Sequence, residues 1–122
     1  MHIEQLRNFC FEKKGVTEHF PFDAVTLVFK VKGKMFLLTS LDSWENGDQK
    51  INLKCDPEKA IELRESYEDI TAGWHMSKKH WNTVALNTGN ISDDFVVKLI
   101  NHSYELVVKG LTKKMQQELE NL

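Results

Sequence analysis

The sequence predicts an α+β fold, a two-layer sandwich in which an antiparallel sheet carries its helices on one face. Helical and strand-like hydrophobic periods follow one another in the order α-β-β-β-α-β-β-α. The runs of strands between helices are short, which favours antiparallel pairing. The 122 residues are 41% hydrophobic and 28% charged, as is typical of one domain with one core. We therefore expect a single domain over residues 1–122.

The first helix is predicted over residues 2–14, where apolar residues recur at helical spacing: Ile3, Leu6, Phe9 and Cys10. Lys13-Lys14-Gly15 ends it, because cations suit the last turn and glycine suits the left-handed cap. Residues 16–23 contain Pro21 and are predicted to form an extended connector, because the residue before a proline avoids the helical region.

Three strands come next. Residues 24–31 and 34–40 are rich in β-formers and are separated by Lys32-Gly33, which predicts a hairpin with a two-residue turn. Residues 50–55 alternate polar and apolar side chains, as in a strand with one buried face. The wet face of that strand would carry Lys50, Asn52 and Lys54.

The second half of the chain is predicted to hold a helix, two strands and two helices. Asp56-Pro57 is an N-cap followed by a first-turn proline, so a helix is expected over 57–66. Residues 69–75 and 80–86 look like strands joined by a turn at 76–79, with Gly73 marking a bulge or bend. Ser92 caps a long helix that Gly110 breaks, and a short extra helix follows Thr112.

Composition excludes several functional classes. There is no N-terminal secretory pattern and no apolar run of about 20 residues. Cys10 and Cys55 are expected to be buried thiols in a reducing compartment, which favours the cytoplasm. A net charge of −2 and a pI near 6.2 do not give the basic footprint of a dedicated nucleic-acid binder, so any such binding must use a local patch.

Catalytic and cofactor signatures are missing. The glycine spacing fits neither a dinucleotide-binding loop nor a Walker A loop, and G-x-S-x-G and S-x-x-K do not occur. His75 and His80 are five residues apart without a companion Cys-x-x-Cys or carboxylate, so a metal site is not expected. Acidic residues on and after the second helix are explained by a solvated face; a binding ridge is the alternative. We expect no catalytic residue, cofactor or metal.

The segment from Thr71 to Val84 combines indoles, imidazoles, ammonium groups and an amide. Lysines can neutralise phosphates, indoles can stack on bases, and an amide can pair with a base edge. The candidate nucleic-acid-binding residues are Trp74, His75, Lys78, Lys79, His80, Trp81 and Asn82. The alternative is structural: both indoles would pack in or around a hairpin whose wet tip is Lys78-Lys79.

The same segment carries a family resemblance. The block Gly73-Trp74-His75-Met76-Ser77-Lys78-Lys79-His80-Trp81-Asn82-Thr83 matches H-M-x-K-x-H-W-x-[TS]. Further matches are Phe20-Pro21-Phe22-Asp23 before the hairpin and Ser103-Tyr104 with Leu106-Val107 in the last long helix. On these residues the chain resembles the MmcQ/YjbR family of small bacterial proteins over nearly its whole length.

The resemblance implies an α-β3-α-β2-α two-layer domain, similar to secretion chaperones and related to the bacterial frataxin (CyaY) fold. It also implies DNA binding, because members are commonly named DNA-binding on the strength of a proposed double-wing arrangement of sheet and hairpins. We therefore predict a non-catalytic DNA-binding or regulatory domain that uses the basic aromatic segment. The alternative is a protein-interaction or chaperone-like module that docks another protein or a second copy on the indoles and the exposed sheet face.

Overall fold

The computed structural model describes residues 1–122 and confirms the α+β class. One antiparallel sheet has the spatial order β1-β2-β3-β4-β6-β5 and consists of β1 (Val16–His19), β2 (Thr26–Val31), β3 (Lys34–Ser40), β4 (Lys50–Lys54), β5 (Ile70–Ala72) and β6 (Trp81–Ala85). The helices are α1 (Ile3–Phe11), α2 (Leu41–Glu45), α3 (Pro57–Ser66), α4 (Asp93–Lys109) and α5 (Lys113–Glu120). None of the five combines the length and apolar character that a membrane-spanning helix needs.

Two short elements add to the predicted order. The segment predicted as an extended connector contains β1, which pairs along β2 from Val16 opposite Val31 to His19 opposite Val28. Its four residues carry too little hydrophobic alternation to signal a strand by themselves, so the ladder with β2 defines it. Helix α2 begins where the Ser40 side chain accepts a hydrogen bond from the backbone N–H of Ser43.

The two strands predicted over 69–75 and 80–86 are shorter than expected. Their ladder ends at Ala72 opposite Asn82, followed by one bond from the Gly73 N–H to the Trp81 carbonyl at 2.9 Å. Residues 73–80 form a loop instead, which we call the 73–80 loop. His75 breaks the extended conformation there with a φ of 57°. The predicted Lys32-Gly33 hairpin turn is confirmed, with positive φ at both residues as a two-residue turn requires.

The main core lies between the sheet and the helices. A cluster of 21 buried residues receives side chains from all five helices and from the sheet, among them Leu6, Phe36, Leu63, Ile100 and Leu119. The other sheet face holds only a three-residue cluster of Val28, Leu38 and Trp81. The helices therefore cover one face, as predicted, and we call the other side the open face.

A β-bulge sets the position of β3 in this core. Phe29 pairs with Leu37 and Lys30 with Met35, so Phe36 is the extra residue and both Phe36 and Leu37 belong to the helix-side core. The Ser103 hydroxyl of α4 donates to the Phe36 carbonyl at 2.5 Å and accepts from the Lys54 N–H at 2.9 Å. One buried hydroxyl thus satisfies two backbone groups at the point where β3 and β4 separate.

Candidate nucleic-acid interface

The open face presents a row of side chains at one level of the sheet. Strand pairing aligns Val28, Leu38, Asn52, Thr83 and Thr71 across five strands. Since side chains alternate between faces, residues two positions along each strand point the same way. That places three lysines on the open face: Lys30, Lys50 and Lys54. The predicted wet set of Lys50, Asn52 and Lys54 is therefore on one face, as expected.

The charges of the sheet separate by face. Glu18 is the only carboxylate in any strand, and it pairs on the helix side with Arg7 of α1, Nη2 to Oε1 at 2.8 Å. The strand positions of the open face therefore carry three lysines and no carboxylate. Asp48, in the loop before β4, lies 3.4 Å from Lys50 Nζ and is the one acid paired with them. A chain with a net charge of −2 thus has a locally cationic face.

A cavity of about 590 Å³ opens on this face. Its floor is polar and comes from the strands, with Thr26, Asn52, Thr71 and Thr83 among the lining residues. Its aromatic walls are Phe22, from the segment before β2, and Trp74, from the 73–80 loop. The cavity was not predicted from the sequence, because it is assembled from five strands that only the sheet order brings together.

The 73–80 loop is held in place by backbone contacts. A Cβ on Gly73 would lie 2.7 Å from the Trp81 Cβ and 3.0 Å from its carbonyl oxygen, so glycine is required by close approach. The Trp74 N–H donates to Thr83 Oγ1 at 3.1 Å. Farther along, the Trp81 N–H donates to the Ser77 carbonyl at 3.0 Å. These bonds fix both ends of the loop and leave its side chains outside the main core.

Five of the seven predicted contact residues lie at the surface of this loop. Trp74 is 70% exposed, and His75, Lys78, Lys79 and His80 are exposed as well. The Trp74 and His75 rings pack with centroids 4.2 Å apart, and the left-handed backbone at His75 is a conformation that few residues other than glycine adopt. The loop thus presents an indole, two imidazoles and two ammonium groups to solvent.

The other two predicted contact residues are buried. Trp81 is 8% exposed and packs with Val28 and Leu38, partly covered by Met76 of the loop, so its indole offers no free stacking surface. Asn82 is 2% exposed and lies on the helix side, where its amide nitrogen donates to the Ala60 carbonyl of α3 at 3.3 Å. Its expected base contact is therefore corrected: β-strand alternation turns Asn82 away from the open face.

A third cation joins the loop. Arg64 Nη1 of α3 donates to the Lys78 carbonyl oxygen at 2.8 Å, which brings its guanidinium to the backbone of the loop at the lysine pair. Arg64, Lys78 and Lys79 form no ion pair within the protein. Arg64 was not predicted from the sequence, because it lies on a separate helix, 14 residues before Lys78. Three uncompensated cations can meet an anion without first breaking an internal pair.

The two thiols are poorly suited to nucleophilic chemistry. Cys10 and Cys55 are buried and unpaired, as predicted. Burial raises the pKa of the Cys10 thiol to about 12, against a smaller opposing effect of Lys13, and burial also raises the pKa of Cys55. Both thiols therefore remain protonated near neutral pH. Because the thiolate is the reactive form, neither is a ready nucleophile. They act as small apolar core residues.

Fold and interface define a class: a small antiparallel α+β domain with one helix-covered sheet face and one partly open cationic face. The sequence profile of the YjbR family matches residues 11–106. The chain belongs to the YjbR family, which confirms the resemblance drawn from its motifs.

Individual relatives agree with this assignment. The chain is 38% identical over 116 residues to YbdF of Escherichia coli O157:H7, covering 95% of this chain and 92% of that protein. It is 30% identical over 122 residues to YjbR of Escherichia coli K12, covering all of both chains. Among solved structures, DR2400 of Deinococcus radiodurans superposes with a TM-score of 0.88 at 39% identity, over 98% of this chain and 88% of that one. These similarities establish the family and the fold, and the names of these relatives state no ligand.

Proposed function

We propose that the protein is a non-catalytic nucleic-acid-binding domain, with DNA as the expected ligand, that uses the open face together with the 73–80 loop. The observation that carries the proposal is the set of three cations at the loop, Arg64, Lys78 and Lys79, that have no internal ion-pair partner. Beside them the strands of the open face add lysines without carboxylates. Such a surface favours a polyanion on electrostatic grounds.

Phosphate contacts of this kind position a nucleic acid but do not read its sequence. Each lysine or arginine that neutralises a phosphate releases a bound counterion, so affinity falls steeply as salt rises. With few cations available, binding should be modest and should be strongest at low ionic strength. The two buried thiols fit a reducing compartment, and the cytoplasm remains our expected location.

The proposal is tested by fluorescence anisotropy with labelled mixed-sequence DNA at several salt concentrations. We expect the double variant Lys78→Ala/Lys79→Ala to bind at least about tenfold more weakly than the wild type. The slope of log affinity against log salt should also become shallower by about two, one unit for each lost phosphate contact.

A matched control has the same charge change in another place. Lys113→Ala/Lys114→Ala removes two exposed lysines from α5, on the helix side of the sheet. It should change affinity less than about twofold, because salt screens the attraction between DNA and lysines that lie away from the binding surface. Equal losses in the two double variants, or no binding by the wild type at low salt, would overturn the proposal.

A second candidate function is protein docking, and exposed aromatic side chains favour it. Phe22 and Trp74 are both exposed and both line the cavity, as an interaction surface requires. A second copy or another protein would then cover the open face, as in a chaperone-like module. In sedimentation experiments such assembly would persist after nuclease treatment and would be lost in Phe22→Ser and Trp74→Ser variants.

A further inference from the structure

The cavity on the open face is larger than contacts to phosphate groups alone require. Its volume of about 590 Å³ falls within the range of roughly 300–1,000 Å³ that is usual for sites that enclose a small molecule. The cations of the 73–80 loop lie at Lys78 and Lys79, whereas the cavity is lined by the preceding residues Trp74, His75 and Met76. Along the chain, only Ser77 separates the cavity-lining residues of the loop from Lys78.

The aromatic wall of the cavity is available for stacking. Trp74 is 70% exposed although it lines the cavity and packs against the His75 ring, so a large part of its indole remains open to solvent. Its backbone is fixed by the bond to Thr83 Oγ1, which keeps the residue at the cavity edge. Indole rings stack on any nucleobase, because every base has a flat π face.

The cavity floor has unused hydrogen-bonding capacity at Asn52. The Asn52 Oδ1 atom accepts from the Thr83 hydroxyl at 2.5 Å, which orients the amide and leaves its nitrogen without a protein partner. The Thr71 hydroxyl, on the far side of Thr83 in the cross-strand row, also makes no hydrogen bond within the protein. Lys50 at the same cavity supplies a cation; its exposed ion pair with Asp48, 3.4 Å away and also lining the cavity, opens when a phosphate takes the place of that carboxylate.

We infer that this cavity takes one unpaired nucleotide: its base stacks on Trp74, its base edge meets the Asn52 amide, and its phosphate meets Lys50. The inference deepens the proposed function and rests on it. In a duplex, base faces are covered by stacking and cannot reach a wall such as Trp74. The site therefore favours single-stranded over double-stranded nucleic acid, whereas the lysines of the loop serve both.

The test compares a labelled oligothymidylate of about 12 nucleotides with a duplex of similar length, at low salt. Trp74→Ala should weaken single-strand binding about tenfold and duplex binding less than twofold, whereas Trp74→Phe retains a stacking ring and most of the affinity. Asn52→Asp keeps an acceptor for Thr83 but replaces the donor with a repelling oxygen, so it should act in the same direction as Trp74→Ala. Lys78→Ala/Lys79→Ala should weaken both ligands alike.

Circular dichroism and urea unfolding of each variant establish that the fold is retained before affinities are compared. If Trp74→Ala and Asn52→Asp leave the ratio of single-strand to duplex affinity unchanged while the lysine variant weakens both, the cavity inference fails and the proposed function stands. If the wild type binds neither ligand at low salt, the proposed function fails and the inference falls with it.

A free mononucleotide and a nucleotide within a strand have the same chemistry. Tryptophan fluorescence is therefore recorded while the oligomer or thymidine monophosphate at millimolar concentration is added to the free protein, and thymidine monophosphate is also added to the complex to measure displacement. Quenching that disappears in Trp74→Phe, with displacement of the oligomer, assigns the cavity to free nucleotides as well as strands. Quenching by the oligomer alone assigns it to strands. Absence of Trp74-dependent quenching by either ligand overturns the inference.

Discussion

Single residues of the family motifs divide into two groups by what they contact. Gly73 and Asn82 have structural partners: close approach to Trp81 in one case, and a hydrogen bond to α3 in the other. Outside the segment, the Tyr104 hydroxyl donates to the Lys14 carbonyl at 2.7 Å. By contrast, Trp74 and the Lys78-Lys79 pair leave their side chains in solvent. The first group accounts for folding, and the second is free to meet a ligand.

Ser103 gives the clearest stability prediction at this scale. Ser103→Ala removes both the donor for the Phe36 carbonyl and the acceptor for the Lys54 N–H, while Phe36 stays fully buried. Leaving buried polar groups without partners costs about 1–3 kcal/mol, so the free energy of unfolding in urea should fall by about that amount. Ser66→Ala, at the exposed end of α3, should change it by less than about 0.5 kcal/mol. Equal effects would contradict the bridging role.

Asp23, the last residue of the Phe20-Pro21-Phe22-Asp23 motif, is held by hydrogen bonds to its ionised carboxylate. Its carboxylate accepts from the backbone N–H groups of Thr26 and Val25 and from the Thr26 hydroxyl, and these bonds lower its pKa. The bonds organise the turn that enters β2. Asp23 therefore has a local structural reason for its place beside the hairpin.

Between elements, the junction of α3 and α4 depends on a neutral histidine. His102 of α4 accepts, at Nε2, a hydrogen bond of 3.3 Å from the backbone N–H of Asp56, the N-cap of α3. Partial burial lowers the His102 pKa, and Lys59 adds to this, whereas Asp56 and Glu105 oppose it. A protonated ring could no longer accept this bond, so the contact between the helices is linked to pH.

The sign of the linkage follows from the lowered pKa. Between the folded value and the unfolded value of about 6.5, the unfolded chain binds more protons, so stability rises with pH. We expect the free energy of unfolding to decrease as pH falls below about 6.5, and His102→Gln, which keeps an acceptor but does not titrate, to lessen that decrease. Urea unfolding at several pH values measures it, with the exposed His80→Gln as control. An identical pH dependence in His102→Gln and wild type would contradict the assignment.

At the scale of the whole molecule, the fold class followed from the sequence because hydrophobic periods and caps are local. Asp56-Pro57, Ser92 and the alternating 50–55 strand each mark an element by its own residues. Strand β1 was missed as a strand because only its ladder with β2 defines it. The cavity and the position of Arg64 depend on sheet order and on the packing of α3, which no local pattern contains. The candidate site was therefore predicted in its exposed loop and in the wet face of the 50–55 strand, but its cavity was not predicted.

Helix α5 connects distant parts of the chain and supplies the last prediction. Leu119 is 5% exposed and belongs to the main core, with its Cδ1 atom packed over Gly15. Around it, Lys32 Nζ pairs with Glu118 at 2.9 Å and Lys14 Nζ donates to the Glu120 carbonyl at 3.1 Å. These contacts join residues 86 and 106 positions apart, so α5 closes the core over the start of the sheet.

Leu119→Ala should therefore lower the free energy of unfolding by about 2–5 kcal/mol, because it leaves a cavity in the main core that the α5 backbone cannot collapse to fill. The matched control is Leu122→Ala, which truncates a leucine that is 72% exposed three residues later and should cost less than about 0.5 kcal/mol. Urea unfolding monitored by both circular dichroism and tryptophan fluorescence measures the two. Coincident transitions with a large Leu119→Ala effect would show that α5 unfolds together with the sheet. A small effect, or a separate early transition, would show instead that α5 is a loosely attached appendage.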